Sequence, residues 1–171
     1  EELYMHQLVL FHEDMHDEAL TYTLQTHGWP KPRGMRAEPA PGGPLAGDVE
    51  VPGGPFLCGA PRGLPFVFDN EKWAHAVELA PFRMARAKTS QREYQVFVDE
   101  GGYGRRELWT DDGWAWRERA GAAHPVYWRR DGRGWLRRDF DRWVALEPER
   151  AMLHVNQHEA RAYCRWAGRR L

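Results

Sequence analysis

Residues 1–26 contain neither glycine nor proline, and Leu3, Met5, Leu8, Val9, Phe11, Met15, Ala19, Leu20 and Leu24 recur at helical spacing. One long helix is predicted. It ends at "THGWPKP", where Gly28 supplies a C-cap and Pro30 and Pro32 forbid a further turn. Residues 30–65 are dense in Pro and Gly, with short strand candidates at 49–51 and 56–58. The composition then changes, since eight of the nine tryptophans follow Asn70. "AHAVELAPFRMA" alternates as one strand. "SQREYQVFVDEGG" reads as a helix of about two to three turns, capped by Ser90 and closed by Gly101 and Gly102. "QHEARAYCRWAG" repeats the helical pattern up to Gly168. Residues 109–143 mix aromatic and Arg residues with little periodicity, which points to long loops held by buried indoles. The expected fold class is α+β: a helix over 1–29, a Pro/Gly connector over 30–48 and an irregular domain over 49–171.

Lys plus Arg number 24 against 25 Asp plus Glu, so no overall field draws the chain to nucleic acid or an anionic membrane. Its 171 residues are enough for one sizeable core. Two distant cysteines, Cys58 and Cys164, form no CxxC pair, so a reducing, cytoplasmic setting is expected. No apolar run reaches membrane-spanning length and no signal peptide opens the chain. The chain begins without Met, inside a helical pattern, and stops while another is running. It reads as an excerpt of a longer protein, with part of any active site outside it.

His12 and His16 in "HEDMH" lie about 40° apart on one helical face, one turn apart, so both imidazoles can reach one metal ion. The neighbouring Glu13, Asp14, Asp17 and Glu18 are of the type that orients metal-bound imidazoles. The same five residues match H-E-x-x-H, in which Glu13 is the general base of a zinc hydrolase. The extended H-E-x-x-H-x-x-G-x-x-H form fails, because Ala19 and Tyr22 stand where Gly and His are required. Glu18, about 200° around the helix from His16, is no third ligand, which must come from another segment.

"HEDMHDEAL", "VPGGPFLCG", "FVFDNEKWAHAVELAPFRMA", "SQREYQVFVDEGGY", "ELWTDDGWAW", "PVYW" and "HVNQHEARAYCRWAGRRL", in this order, resemble the ergothioneine-forming sulfoxide synthases. These are non-haem iron enzymes whose second domain is related to the formylglycine-generating enzymes. The resemblance implies a DinB-like helical bundle, of which the chain holds the last helix, followed by a C-type-lectin-like domain. It implies Fe(II) held by three histidines, two of them His12 and His16 and the third on an earlier helix. It also implies O2, hercynine and a thiol donor as reactants. The sister selenoneine synthases, which use a selenosugar, look similar, and the residues leave sulfur and selenium open. Met15 stands where the family carries a hercynine-contacting Gln, and Asn156, Gln157 and His158 replace a Ser-Trp-Tyr run. Met15 and His158 are therefore the candidate substrate contacts. Two rivals are an HExxH zinc hydrolase and a non-catalytic lectin-like binding module.

Other features have simpler readings. Ser90 lies outside any G-x-S-x-G motif and suits a helix cap. The arginines of 117–142 are interrupted by acids and suit packing over indoles rather than nucleic-acid stacking. "FDNE" suits a turn, and His75, His124 and His154 suit hydrogen-bonded structural positions.

Overall fold

The computed structural model describes residues 3–35, 45–132 and 134–171. By its contacts the chain divides into two compact units. The first comprises Glu1–His27 and Ala46–Arg86; the second comprises Gly28–Leu45 and Ala87–Leu171.

The first unit contains helix α1 (Tyr4–His27) and four short strands. Gly28, at φ +67°, adopts the left-handed conformation expected just past a helix end. Strand β1 (Asp48–Val51) pairs antiparallel with β4 (Phe82–Ala85), and β2 (Gly54–Cys58) pairs with β3 (His75–Leu79). The single strand expected from "AHAVELAPFRMA" is thus two, in separate ladders. Pro52 and Pro81 lack amide donors where the two ladders meet. A Cβ at Gly53 would come within 2.7 Å of the Leu79 carbonyl and the Pro81 ring, so only glycine permits the close crossing there.

The second unit carries most of the core. Helix α2 (Gln91–Asp99) opens with a capping box in which Ser90 and Glu93 satisfy each other's backbone N–H groups. Helix α3 (Asp111–Ala120) is capped by Thr110 and closed by left-handed Gly121. Strands β5 (Trp128–Asp131), β6 (Gly134–Asp139) and β7 (Arg142–Ala145) form an antiparallel meander, and helix α4 (Gln157–Trp166) follows. Region 109–143, expected to be mostly loop, is therefore largely regular. Tyr94, Phe97, Val98, Tyr103, Leu108, Trp109, Trp128 and Ala162 form the core, with Phe97 fully buried. A Cβ at Gly102 would overlap the Phe97 ring, so the closing glycine is a packing requirement as well as a turn.

Indole N–H groups are satisfied as the aromatic composition requires: Trp109 donates to the Gly102 carbonyl, Trp135 to Asp99 and Trp166 to Glu100. The base of the unit is closed by backbone pairing of Ser90 with Ala151 and by Glu147 N donating to the Gln91 side chain. Among the described residues no helix is long and apolar enough to cross a membrane.

Candidate functional site

Helix α1 places His12 and His16 one turn apart, both exposed, with their Nε2 atoms 3.0 Å apart and rings nearly perpendicular at 89°. That separation lets one N–H donate to the other lone pair. It is also the edge two cis ligands span around one ion, since a metal–nitrogen bond of about 2.1 Å gives about 3.0 Å between nitrogens at a right angle. The donor set therefore fits a metal that accepts imidazole, iron and zinc included. Each ring bonds to the other ring, while Glu13, Asp14, Asp17 and Glu18 lie exposed, so the orienting role expected of these acids is not seen. Among the described residues no group of three His, Cys, Asp or Glu assembles around an ion. Met15, 46 % exposed, precedes His16 on the same helix.

"FDNE" forms a 3-10 turn over Asp69–Glu71. Asp69 accepts from the Asn70 amide through its side chain, and the Ala60 amide donates to the Glu71 carbonyl. The turn reading holds.

In the second unit a groove of about 560 Å³ is lined by Trp116, His124, Tyr127, His154, Asn156 and Glu159, among others. Of these lining residues Glu159 is only 4 % exposed. Its Oε1 accepts from the Tyr103 hydroxyl at 2.5 Å and its Oε2 from the Asn156 amide at 2.8 Å. Tyr94 Oη lies 3.4 Å from Tyr103 Oη. Burial raises the Glu159 pKa, against the opposing hydrogen bonds from Tyr103 and Asn156 and the nearby His124 and His158. Burial also pushes both tyrosines up, so their hydroxyls stay protonated as donors. His154 sits at φ +59° with its pKa lowered, first by burial and then by Arg137 and Arg138. This network went unread in the sequence, although Asn156 and Glu159 stand at the spacing of a capping box.

Asn156 is the N-cap of α4, its Oδ1 accepting from the Glu159 amide at 3.0 Å. Asn in place of Ser thus preserves the cap, because both side chains accept the same bond. His158 stacks on Trp116 at 6.0 Å and 26°, and its Nδ1 would lie 3.3 Å from a Cβ at Gly113. The structure brings His12, Met15 and His16 together on α1 in the first unit and places His158 on α4 in the second. Cys58 is exposed and Cys164 half-buried, both as free thiols.

The sulfatase-modifying factor enzyme 1-like domain matches residues 35–171, and the chain belongs to that family. It is 38% identical over 167 residues to a protein of Mycolicibacterium thermoresistibile named hercynine oxygenase, covering 96% of this chain and 37% of that protein. The hercynine oxygenase of Mycolicibacterium smegmatis is 38% identical over 168 residues, covering 96% of this chain and 38% of the relative. A formylglycine-generating enzyme of Streptomyces coelicolor is 29% identical over 151 residues, covering 79% of this chain and 48% of the relative. The chain thus spans less than half the length of these curated relatives.

Proposed function

We propose that the chain is part of a non-haem Fe(II), O2-dependent oxidoreductase that forms a carbon–sulfur or carbon–selenium bond on the imidazole of hercynine, in ergothioneine or selenoneine biosynthesis. The observation that carries this reading is the 3.0 Å approach of the His12 and His16 Nε2 atoms. Similarity to relatives named hercynine oxygenases supports it. Bound iron supplies the redox chemistry with O2 that amino-acid side chains lack. His12 and His16 hold it through Nε2 lone pairs, which requires both rings to be neutral with the proton on Nδ1. Met15 offers the substrate a polarisable apolar contact in place of a hydrogen-bonding amide. His158 is a second substrate contact in this reading. The second substrate is a thiol, such as γ-glutamylcysteine or cysteine, or a selenosugar.

Residues 1–29 are then the last helix of a DinB-like iron-binding bundle, 30–48 a connector, and 49–171 the N-terminal part of a formylglycine-generating-enzyme-like, C-type-lectin-like domain. The surface of α1 supports the bundle. Relative to Phe11, Leu10, Met5 and Leu20 point about −100°, 120° and 180° around the helix, so apolar side chains occupy every side. A helix of that kind is built to be surrounded. The setting is cytoplasmic in this reading. The zinc-hydrolase rival, with Glu13 as base, has no counterpart among the relatives named above.

The test uses the longer protein, loaded anaerobically with Fe(II) and given hercynine, O2 and γ-glutamylcysteine, cysteine or a selenosugar in parallel. Mass spectrometry should find a hercynine adduct with one donor, and His12→Ala should abolish it and weaken metal binding by more than about 100-fold. Absence of an adduct with every donor would overturn the reading.

A further inference from the structure

We propose that Phe66 and Phe68 are positioning residues for the His12–His16 pair: their rings wedge into α1 and fix its rotation and its slide, and with them the direction in which the pair faces the ligand that another segment must supply. The inference rests on the metal reading above.

Tyr4 and Phe11 are seven residues apart, two turns and about 10 Å along the axis, and only about 20° apart around it. The Phe66 ring touches both, with centroids 5.0 Å from Tyr4 and 4.8 Å from Phe11. A ring lodged between side chains two turns apart blocks movement along the helix axis. Phe68 meets Phe11 at 5.6 Å and packs edge-on against Phe66 at 4.9 Å, while the Lys72 ammonium lies 5.0 Å from the Tyr4 ring centre. These flanking contacts resist rotation. Between Tyr4 and Phe11, on the same stripe, Gln7 has a buried Oε1 with no hydrogen-bond partner, as expected of a face filled by rings.

The wedge is itself anchored. Val67, between the two rings, is 6 % exposed. The turn that follows is closed by Glu71 N donating to the Phe68 carbonyl at 3.1 Å. It is tied to the chain flanking β2 and β3 by the Ala60 amide on the Glu71 carbonyl at 2.9 Å and the Ala74 amide on the Ala60 carbonyl at 3.0 Å. A continuous path therefore runs from the β2–β3 hairpin through the Asp69–Glu71 turn and the two rings to Phe11, the residue before His12.

The magnitudes explain why such a wedge is needed. With side chains the helix has a radius of about 5–6 Å, so a 20° rotation displaces a side-chain tip by about 2 Å. Metal–ligand distances tolerate about 0.2 Å. Rotational slack that a stable helix would absorb without cost would carry both imidazoles away from a ligand on another segment. Paired rings, stacked at Tyr4–Phe66 and tilted or edge-on elsewhere, limit that slack better than aliphatic side chains, because an aromatic pair has a preferred interplanar geometry as well as a contact distance.

The test uses the longer protein and Co(II) as the probe, read by calorimetry and by its d–d absorption, with far-UV circular dichroism and thermal unfolding alongside. Phe66→Ala should weaken Co(II) binding about 10- to 100-fold and shift the d–d band, while helix content is kept. Phe66→Tyr should restore both, and Phe66→Leu, which keeps bulk without stacking, should fold and still bind weakly. A Phe66→Leu protein with wild-type Co(II) affinity and band would overturn the positioning role. So would a lowered unfolding midpoint with an unmoved band, the mark of a purely structural residue. His12→Ala separates the two layers. If it abolishes Co(II) binding while Phe66 variants do not change it, only the wedge fails; if it binds Co(II) as the wild type does, the metal reading fails and takes the wedge with it.

Discussion

Helices α1 and α4 follow the same helical spacing of apolar residues and end in opposite surroundings. α4 buries Glu159 and Ala162, stacks Tyr163 on Tyr94 and packs Trp166 against Phe97. α1 leaves Leu10 68 % and Leu20 61 % exposed and buries only Gln25 among its residues. The pattern that makes a helix is local, whereas what covers the helix depends on which other segments reach it. One aromatic stripe of α1, Tyr4 and Phe11, is met by Phe66 and Phe68; Leu8, Ala19 and Leu24 are half-buried, and Met5, Val9, Leu10, Met15 and Leu20 are exposed.

That contrast can be broken by measurement. Phe97→Ala should cost about 3–5 kcal/mol, because it empties a fully buried ring site, whereas Leu10→Ala in the same 171-residue chain should stay within about 0.5 kcal/mol. Denaturant midpoints at constant slope check both. If Leu10→Ala instead costs about 2–5 kcal/mol in a longer protein, its additional segments cover α1 and the two helices become alike.

A smaller effect probes how α4 is started. Asn156→Ala should cost about 1 kcal/mol and Asn156→Ser only a few tenths, since serine accepts the same amide bond. Equal losses would mean that the asparagine does more than cap.

The smallest effect is read against pH. Burial raises the folded-state pKa of Glu159, so the folded chain holds this proton more tightly than the unfolded chain. Its contribution to stability is complete below the ordinary carboxylate value of 4.5 and is lost as pH rises through the raised folded value. Glu159→Gln, which cannot ionise, should flatten the fall of the unfolding midpoint as pH rises from that value. An unchanged slope would assign the pH dependence to other groups.

The elements legible in the sequence are those whose ends are written in side-chain chemistry. Ser90 with Glu93 announces α2, Gly28 with Pro30 stops α1, and the Gly-Pro punctuation isolates β1 and β2. α3 was missed because "DDGWAWRERA" places Gly113 and two tryptophans where an apolar stripe would be sought. Its real signals were Thr110 at the cap and Gly121 at the stop. The meander was missed because arginine appears on both of its faces. Arg129 lies over Trp143 and Arg130 over Trp135, while Arg137 is paired with Asp139 and Glu147. Stems covering indoles erase the polar–apolar alternation, and only the Asp131-Gly132 turn pair marked the β5–β6 hairpin. For the proposed metal half-site, the spacing of His12 and His16 was readable. The Phe66 and Phe68 wedge was not, because it joins residues more than fifty positions apart.

The closed base of the second unit has a consequence for how the chain can vary. Gln91 and Glu147, joined across 56 positions, and the Ser90–Ala151 bridge bound a single large loop that contains α2, α3 and the meander. The entropy of closing such a loop grows only with the logarithm of its length, by about 0.6 kcal/mol for each doubling. Residues added at the β5–β6 tip would therefore change the closure cost very little, so that tip is a place where the family can lengthen without surrendering the core. Deletions at the base enjoy no such leniency, since each would remove a bond that holds the loop shut.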